Sequence, residues 1–153
     1  MSNNFAFIPN FGGTVNLGKP GLAAGTTAGT VQLAAATIYA INGQMYSKAI
    51  TNNIALTAAP LQADLTTAIY VLALDAAGAL TSYQGIPQLT SDLAAGNKVL
   101  QWPTYPTTVA PIGYMKVVLS GGTFTAGTTA LNAAGVTATF VDLFQVPPAP
   151  LLS

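Results

Sequence analysis

Thr37-Ile38-Tyr39-Ala40-Ile41-Asn42-Gly43-Gln44-Met45-Tyr46-Ser47 decides how the rest of the chain is read. Two apolar and aromatic runs flank Asn-Gly, the strongest short signal for a β-hairpin, because both central residues of a type I′ turn need positive φ. Outward from it, Thr67-Ala68-Ile69-Tyr70-Val71-Leu72-Ala73-Leu74 turns through Asp75-Ala76-Ala77-Gly78 and returns as Ala79-Leu80-Thr81-Ser82-Tyr83, a second hairpin. Further strands are predicted over Lys98 to Trp102, Ile112 to Leu119 and Val136 to Leu143, with a shorter one around Ile54 and Leu56. In the last long one, Val136, Ala138, Phe140 and Asp142 share a face. Thr137, Thr139 and Val141 share the other, so the strand reads as half-buried, with Phe140 inward.

Thr90 to Gly96 reads as one helical turn with a Ser or Thr cap, closed by Gly96. Alanine-rich stretches do not extend this to longer helices, because Thr, Val, Ile and Tyr interleave with the Ala. Short strands between frequent turn signals predict an all-β fold, a small antiparallel β-sandwich or β-barrel of jelly-roll-like type.

Three zones follow. Residues 1–36 carry Phe5, Phe7, Ile8, Phe11, Val15 and Leu17 among frequent Gly and Pro, and read as an extended arm whose apolar residues dock on this subunit's core or on a neighbour. Residues 37–143 form the body. Residues 144–153 are a Pro-rich tail, an extended path that either hangs loose or docks Leu151 and Leu152 on a neighbour. Removing residues 2–20 is then expected to leave the body folded.

Composition narrows function. Charged residues are 5% of the 153, against roughly 25% in an ordinary domain. They are four Lys and four Asp, with no Arg, Glu, His or Cys and zero formal net charge. Weak charge repulsion favours association, and neutral faces can pack together without desolvating ions. Without a basic patch, neither nucleic acid nor an anionic membrane surface is an expected partner. No apolar run approaches the length of a membrane span, and Met1-Ser2-Asn3-Asn4-Phe5 does not look like a secretory signal.

Chemistry has few candidates. With no His, Glu or Cys, the usual acid–base and nucleophilic arrangements are missing. Ser47 and Lys48 are strand neighbours that point to opposite faces. Asp75 sits at a turn and Asp92 at a helix start, both common structural places for Asp. Metal and haem sites lack their ligands, and the Gly-rich segments lack the setting of a phosphate loop. No catalytic residue, cofactor or metal site is therefore expected, and the chain reads as no enzyme. The aromatic residues, Tyr39 to Tyr114, could line a sugar-binding surface. On strands they more commonly fill a core or an interface.

Several strings carry a family likeness: Tyr39-Ala40-Ile41-Asn42-Gly43, Ile69 through Gly78, Pro111 through Val118, Gly122 through Thr129, and Leu131 through Val136. Over about residues 37–143 the chain resembles small tailed-phage virion proteins, and is most similar to head decoration, or cement, proteins. The resemblance implies a homotrimer made in the host cytoplasm and seated on the outer capsid surface of the virion. There it would clamp neighbouring subunits of the major capsid protein against internal pressure. Interface residues expected from the sequence are Phe5, Phe7, Ile8, Phe11, Val15, Leu17, Leu151 and Leu152. The competing expectation is a receptor- or glycan-binding module of a phage fibre or spike, using Trp102 and Tyr105.

Overall fold

A computed structural model describes residues 13–144. The chain is almost entirely β and its sheets are antiparallel, as the hairpin signals predict. Strand β1 (Val15–Asn16) pairs with β4 (Thr37–Ile41), and β4 with β5 (Gln44–Lys48). Strand β2 (Leu22–Ala24) pairs with β3 (Thr30–Leu33), and β3 with β6 (Thr51–Ala55). The largest sheet runs β11 (Val136–Asp142), β10 (Ala110–Leu119), β7 (Thr66–Leu74), β8 (Leu80–Gln84), with β9 (Gln88–Leu89) also on β7. The β4–β5 turn is built as expected, with Asn42 at φ 51° and Gly43 at φ 83°.

Period-two alternation explains which face of the large sheet is covered. Ala68, Tyr70, Leu72 and Leu74 of β7, with Met115, Val117 and Leu119 of β10, form one apolar layer, and a β-bulge between Pro111 and Gly113 turns Ile112 into it as well. It packs with Leu22, Val31 and Leu33 of the second sheet and Tyr39 and Ile41 of the first in a single buried core. This is a sandwich-like arrangement. Gly113 marks where it is tightest, since a side chain there would collide with the Leu22 side chain and the Val141 carbonyl. In β11 the alternation is as read: Val136, Ala138 and Phe140 are half-buried and Thr137, Thr139 and Val141 exposed.

Three expectations need correction. The arm drawn over residues 1–36 is too long, because β1, β2 and β3 lie inside it and belong to the body. Their partners β4 and β6 are distant in sequence, so no local pattern announces them. Residues 1–12 of that arm and 145–153 of the tail lie outside the described residues. Second, Lys98 to Trp102 is not a strand. It runs irregularly into buried Pro103, lays the Gln101 carbonyl close against Gly85 and sets the Trp102 ring edge-on to Tyr114, 5.3 Å between centroids. The segment covers the outer face of the large sheet, and a cover has no ladder to join. Third, the short helix α1 (Thr90–Ala94) exists, but its N-cap is Leu89 with no side-chain cap. The Thr90 hydroxyl instead hydrogen-bonds that of Thr67 at 2.9 Å. Gly96, at φ 74°, ends the turn as expected.

Two buried amides tie other segments to the large sheet. Gln62, wholly buried, donates to the carbonyls of Val117 (3.1 Å) and Thr66 (3.2 Å) and accepts from the Tyr70 hydroxyl (3.0 Å). Its own backbone exchanges hydrogen bonds with Phe124. Burial pushes the Tyr70 phenol well above its usual range, so it stays a neutral donor; the Gln84 amide, donating to it at 2.8 Å, partly offsets the shift. Asn16 donates to the carbonyls of Leu143 (2.5 Å) and Gly18 (2.7 Å) and accepts from the Thr37 hydroxyl (2.8 Å). That ties β1, an edge strand of the first sheet, to the end of β11, so a cut through residue 20 would unpick the body. Asn16→Ala strands these buried partners and is expected to cost about 2–3 kcal/mol, read as a lower urea midpoint with an unchanged slope. An unshifted midpoint would remove Asn16 from this role.

Candidate functional site

Three of the four carboxylates are engaged by backbone N–H groups. Asp142 accepts from the N–H groups of Leu22 (2.9 Å) and Gly21 (3.0 Å). Asp75 accepts from those of Ala77 (2.8 Å) and Ala79 (2.9 Å), the turn role its position suggested. Asp64 accepts from the N–H groups of Leu65 and Gly121, both at 2.7 Å. Asp92 lies in the first turn of α1, and it is its backbone carbonyl that accepts from Asn97 and Lys98. Among the described residues no three His, Cys, Asp or Glu gather as metal ligands. A cleft runs between Ala58–Leu61 and Tyr83–Pro87, and no carboxylate or amine lines it. No helix of the described residues is long and apolar enough to cross a membrane.

Apolar surface is where the molecule is unusual. In the β1-β4-β5 sheet, Asn16 and Tyr39 are register partners that face the core. Their neighbours therefore face out. Val15 stands beside Ala40, which stands beside Met45. The Leu17 N–H donates to the Ile38 carbonyl at 2.9 Å, which continues the register and brings Leu17 beside Ile38. Ile38 and Met45 are 50% and 56% exposed, and Val15 and Leu17 half-buried. Polar groups among them come from Ser47, opposite Ile38, and from backbone. Of the interface residues expected from sequence, Val15 and Leu17 are thus brought together on one uncharged sheet face. Phe5, Phe7, Ile8, Phe11, Leu151 and Leu152 lie outside the described residues.

Ile38 and Met45 were missed by sequence reading. A hairpin's alternation says that one face is buried and does not say whether the other meets water or a partner. A second apolar place is the aromatic cover of the large sheet. Val71 lies in register between Tyr83 and Tyr114, Tyr105 tilts against Tyr83 with centroids 6.1 Å apart, and Trp102, 46% exposed, caps Tyr114. Leu65 is also exposed, at φ 58°, a conformation disfavoured for a bulky residue and held by its own N–H bonding to Asp64.

No protein-family model, curated protein or solved structure matches this chain.

The backbone N–H groups of Gly121, Gly122 and Leu65 hold the Asp64 carboxyl below its ordinary value of 3.8. A carboxyl with a depressed folded-state pKa stabilises the fold above its unfolded pKa, and that contribution is lost as pH falls through the folded value. Urea midpoints should therefore drop less for Asp64→Asn than for the parent chain between about pH 5 and about pH 2. Parallel curves would show that the Asp64 contacts do not persist in solution.

Proposed function

We propose that the chain is a capsid decoration protein of a tailed phage, which binds the outer surface of the head and stabilises contacts between major capsid subunits. The observation that carries this reading is the uncharged outer face of the β1-β4-β5 sheet, where Val15, Leu17, Ile38 and Met45 stand together. Its strand β1 follows directly in sequence on residues 1–12, which carry Phe5, Phe7, Ile8 and Phe11. A neutral face joined to an aromatic-bearing segment suits attachment to a large protein surface. Each side chain fully buried there would contribute roughly 1.5–3 kcal/mol before ordering costs. Repetition over a shell would multiply a modest single-site affinity. The strings over residues 37–143 that resemble cement proteins support the same reading, and with it a homotrimer on the virion surface.

A second reading has one specific observation behind it. Trp102 presents an exposed ring on an aromatic base, a surface on which a saccharide can stack. That would make the chain a receptor- or glycan-binding module.

Deletion of residues 2–12, which stops short of Asn16, is expected to leave the urea midpoint unchanged and to abolish co-sedimentation with empty heads of the source phage. Met45→Lys should weaken the same binding. Normal head binding by both variants would sink the decoration reading. Saccharide binding on a glycan array that is lost in Trp102→Ala would favour the second.

A further inference from the structure

Strand β11 pairs with β10 from Val136–Leu119 to Asp142–Gly113 without a register shift. Just beyond its ends, the Leu143 N–H donates to the Ile112 carbonyl (3.0 Å) and the Ser120 N–H to the Gly135 carbonyl (2.9 Å). Opposed residues of an antiparallel pair alternate between exchanging hydrogen bonds and not exchanging them. Counting inward from both ends, Thr137, Thr139 and Val141 direct their backbone groups at β10. Ala138 and Phe140 direct theirs to the other side, and no strand of the described residues stands there.

Side chains leave the same edge unfinished. Val136, Ala138 and Phe140 pack against the core yet are only half-buried, as residues are when the next strand of a sheet is missing. Natural sheets defend a free edge with charge, proline or a break. The opposite edge of this sheet has such a break, with Gly85-Ile86-Pro87 between β8 and β9. Strand β11 has none: it contains no Lys and no Pro, and the carboxylate of Asp142 is occupied by Gly21 and Leu22.

We propose that β11 is an interface that pairs antiparallel with β11 of a second copy of this chain, about a two-fold axis at Thr139, to make one continuous sheet. Backbone groups that point outward must meet others that do. An axis at Thr139 achieves this by setting Ala138 against Phe140 twice, small opposite large. On the other face it sets Thr139 against Thr139 and Thr137 against Val141, β-branched pairs that suit adjacent strands. An axis at Ala138 would set Ala138 against Ala138 and leave a gap at the centre. No like charges oppose each other, and a two-fold contact needs such self-complementarity. A foreign strand would have to supply the same alternation, which a second copy has by construction. This two-fold contact does not itself build the homotrimer of the decoration reading, and it uses a different surface from the β1-β4-β5 face.

The chain has no cysteine of its own, which makes thiol cross-linking of the full-length protein a clean test. Across the axis the two 139 positions form a non-hydrogen-bonded pair with Cα atoms about 4.5 Å apart, close enough for a disulfide. The two 137 positions are displaced by four residues, about 13 Å. Mild oxidation should convert Thr139→Cys to a covalent dimer and leave Thr137→Cys largely monomeric. Thr139→Lys should weaken dimerisation about tenfold in sedimentation velocity by opposing like charges, and mixing it with Thr139→Asp should restore the dimer. The proposal is overturned if the parent chain is monomeric at every concentration, or if Thr137→Cys cross-links as readily as Thr139→Cys. It is equally overturned if the amides of Ala138 and Phe140 resist hydrogen exchange equally at all concentrations, because the chain's own terminal residues would then occupy the edge.

Discussion

Asn16 and Gln62 set the terms on which this protein can be folded with so little charge. Each sits inside the body, satisfies carbonyls of distant strands, and takes a hydroxyl in return: Thr37 for Asn16, Tyr70 for Gln62. A buried ion pair in either place would carry a desolvation cost of several kcal/mol per ion. A neutral amide carries less and offers both donors and an acceptor. The result is a core in which no buried side-chain polar atom lacks a partner among the described residues. Specificity of packing thus comes from hydrogen-bond geometry, in which the Asp142 carboxylate joins by bridging β2 to β11.

How much of this could be read from the sequence depended on how local the cause was. The β4–β5 and β7–β8 hairpins, and the alternation of β11, were legible because turn chemistry and period-two patterning lie within a dozen residues. β1, β2 and β3 were not. They are two to four residues long, sit among glycines, and are stabilised by pairing with β4 and β6 and by the reach of Asn16 across to Leu143. Lys98 to Trp102 failed for the opposite reason. Val99, Leu100 and Trp102 look like strand residues, but their segment lies over a sheet and not within one. Part of the candidate face was legible too, since Val15 and Leu17 were marked as apolar anchors. Ile38 and Met45 were not, because whether the outer side of a hairpin meets water is a property of its surroundings.

The carboxylates connect composition to function. Asp64, Asp75 and Asp142 each accept two backbone N–H groups. A carboxylate held in this way organises a loop or, in Asp142, anchors β2 to the end of β11. Few charges then remain to decorate the surface, and what solvates the outside is Thr, Asn, Gln and main chain. A surface of that kind is poorly protected against association. Neutral exposed leucine, isoleucine and methionine become useful when the surroundings are another protein.

Edges complete this logic, because a sheet protein with few ions lacks the usual means of guarding them. The β8–β9 side relies on a backbone break before Pro87, and the outer strand β5 ends at Lys48, one of only four lysines. A lysine on β11 was sterically open, since Thr137, Thr139 and Val141 are exposed and a charge at any of them would face water. Instead the strand is neutral apart from Asp142, whose carboxylate is taken up by Gly21 and Leu22, and its inward residues stop half-covered. Chance composition alone could leave an edge without charge. It does not readily explain why the uncharged edge is also the one where Phe140 and Val136 need a neighbour to finish their burial. Those two features have a common cause if the sheet is completed by association, and that is why β11 carries more weight than the other exposed apolar positions.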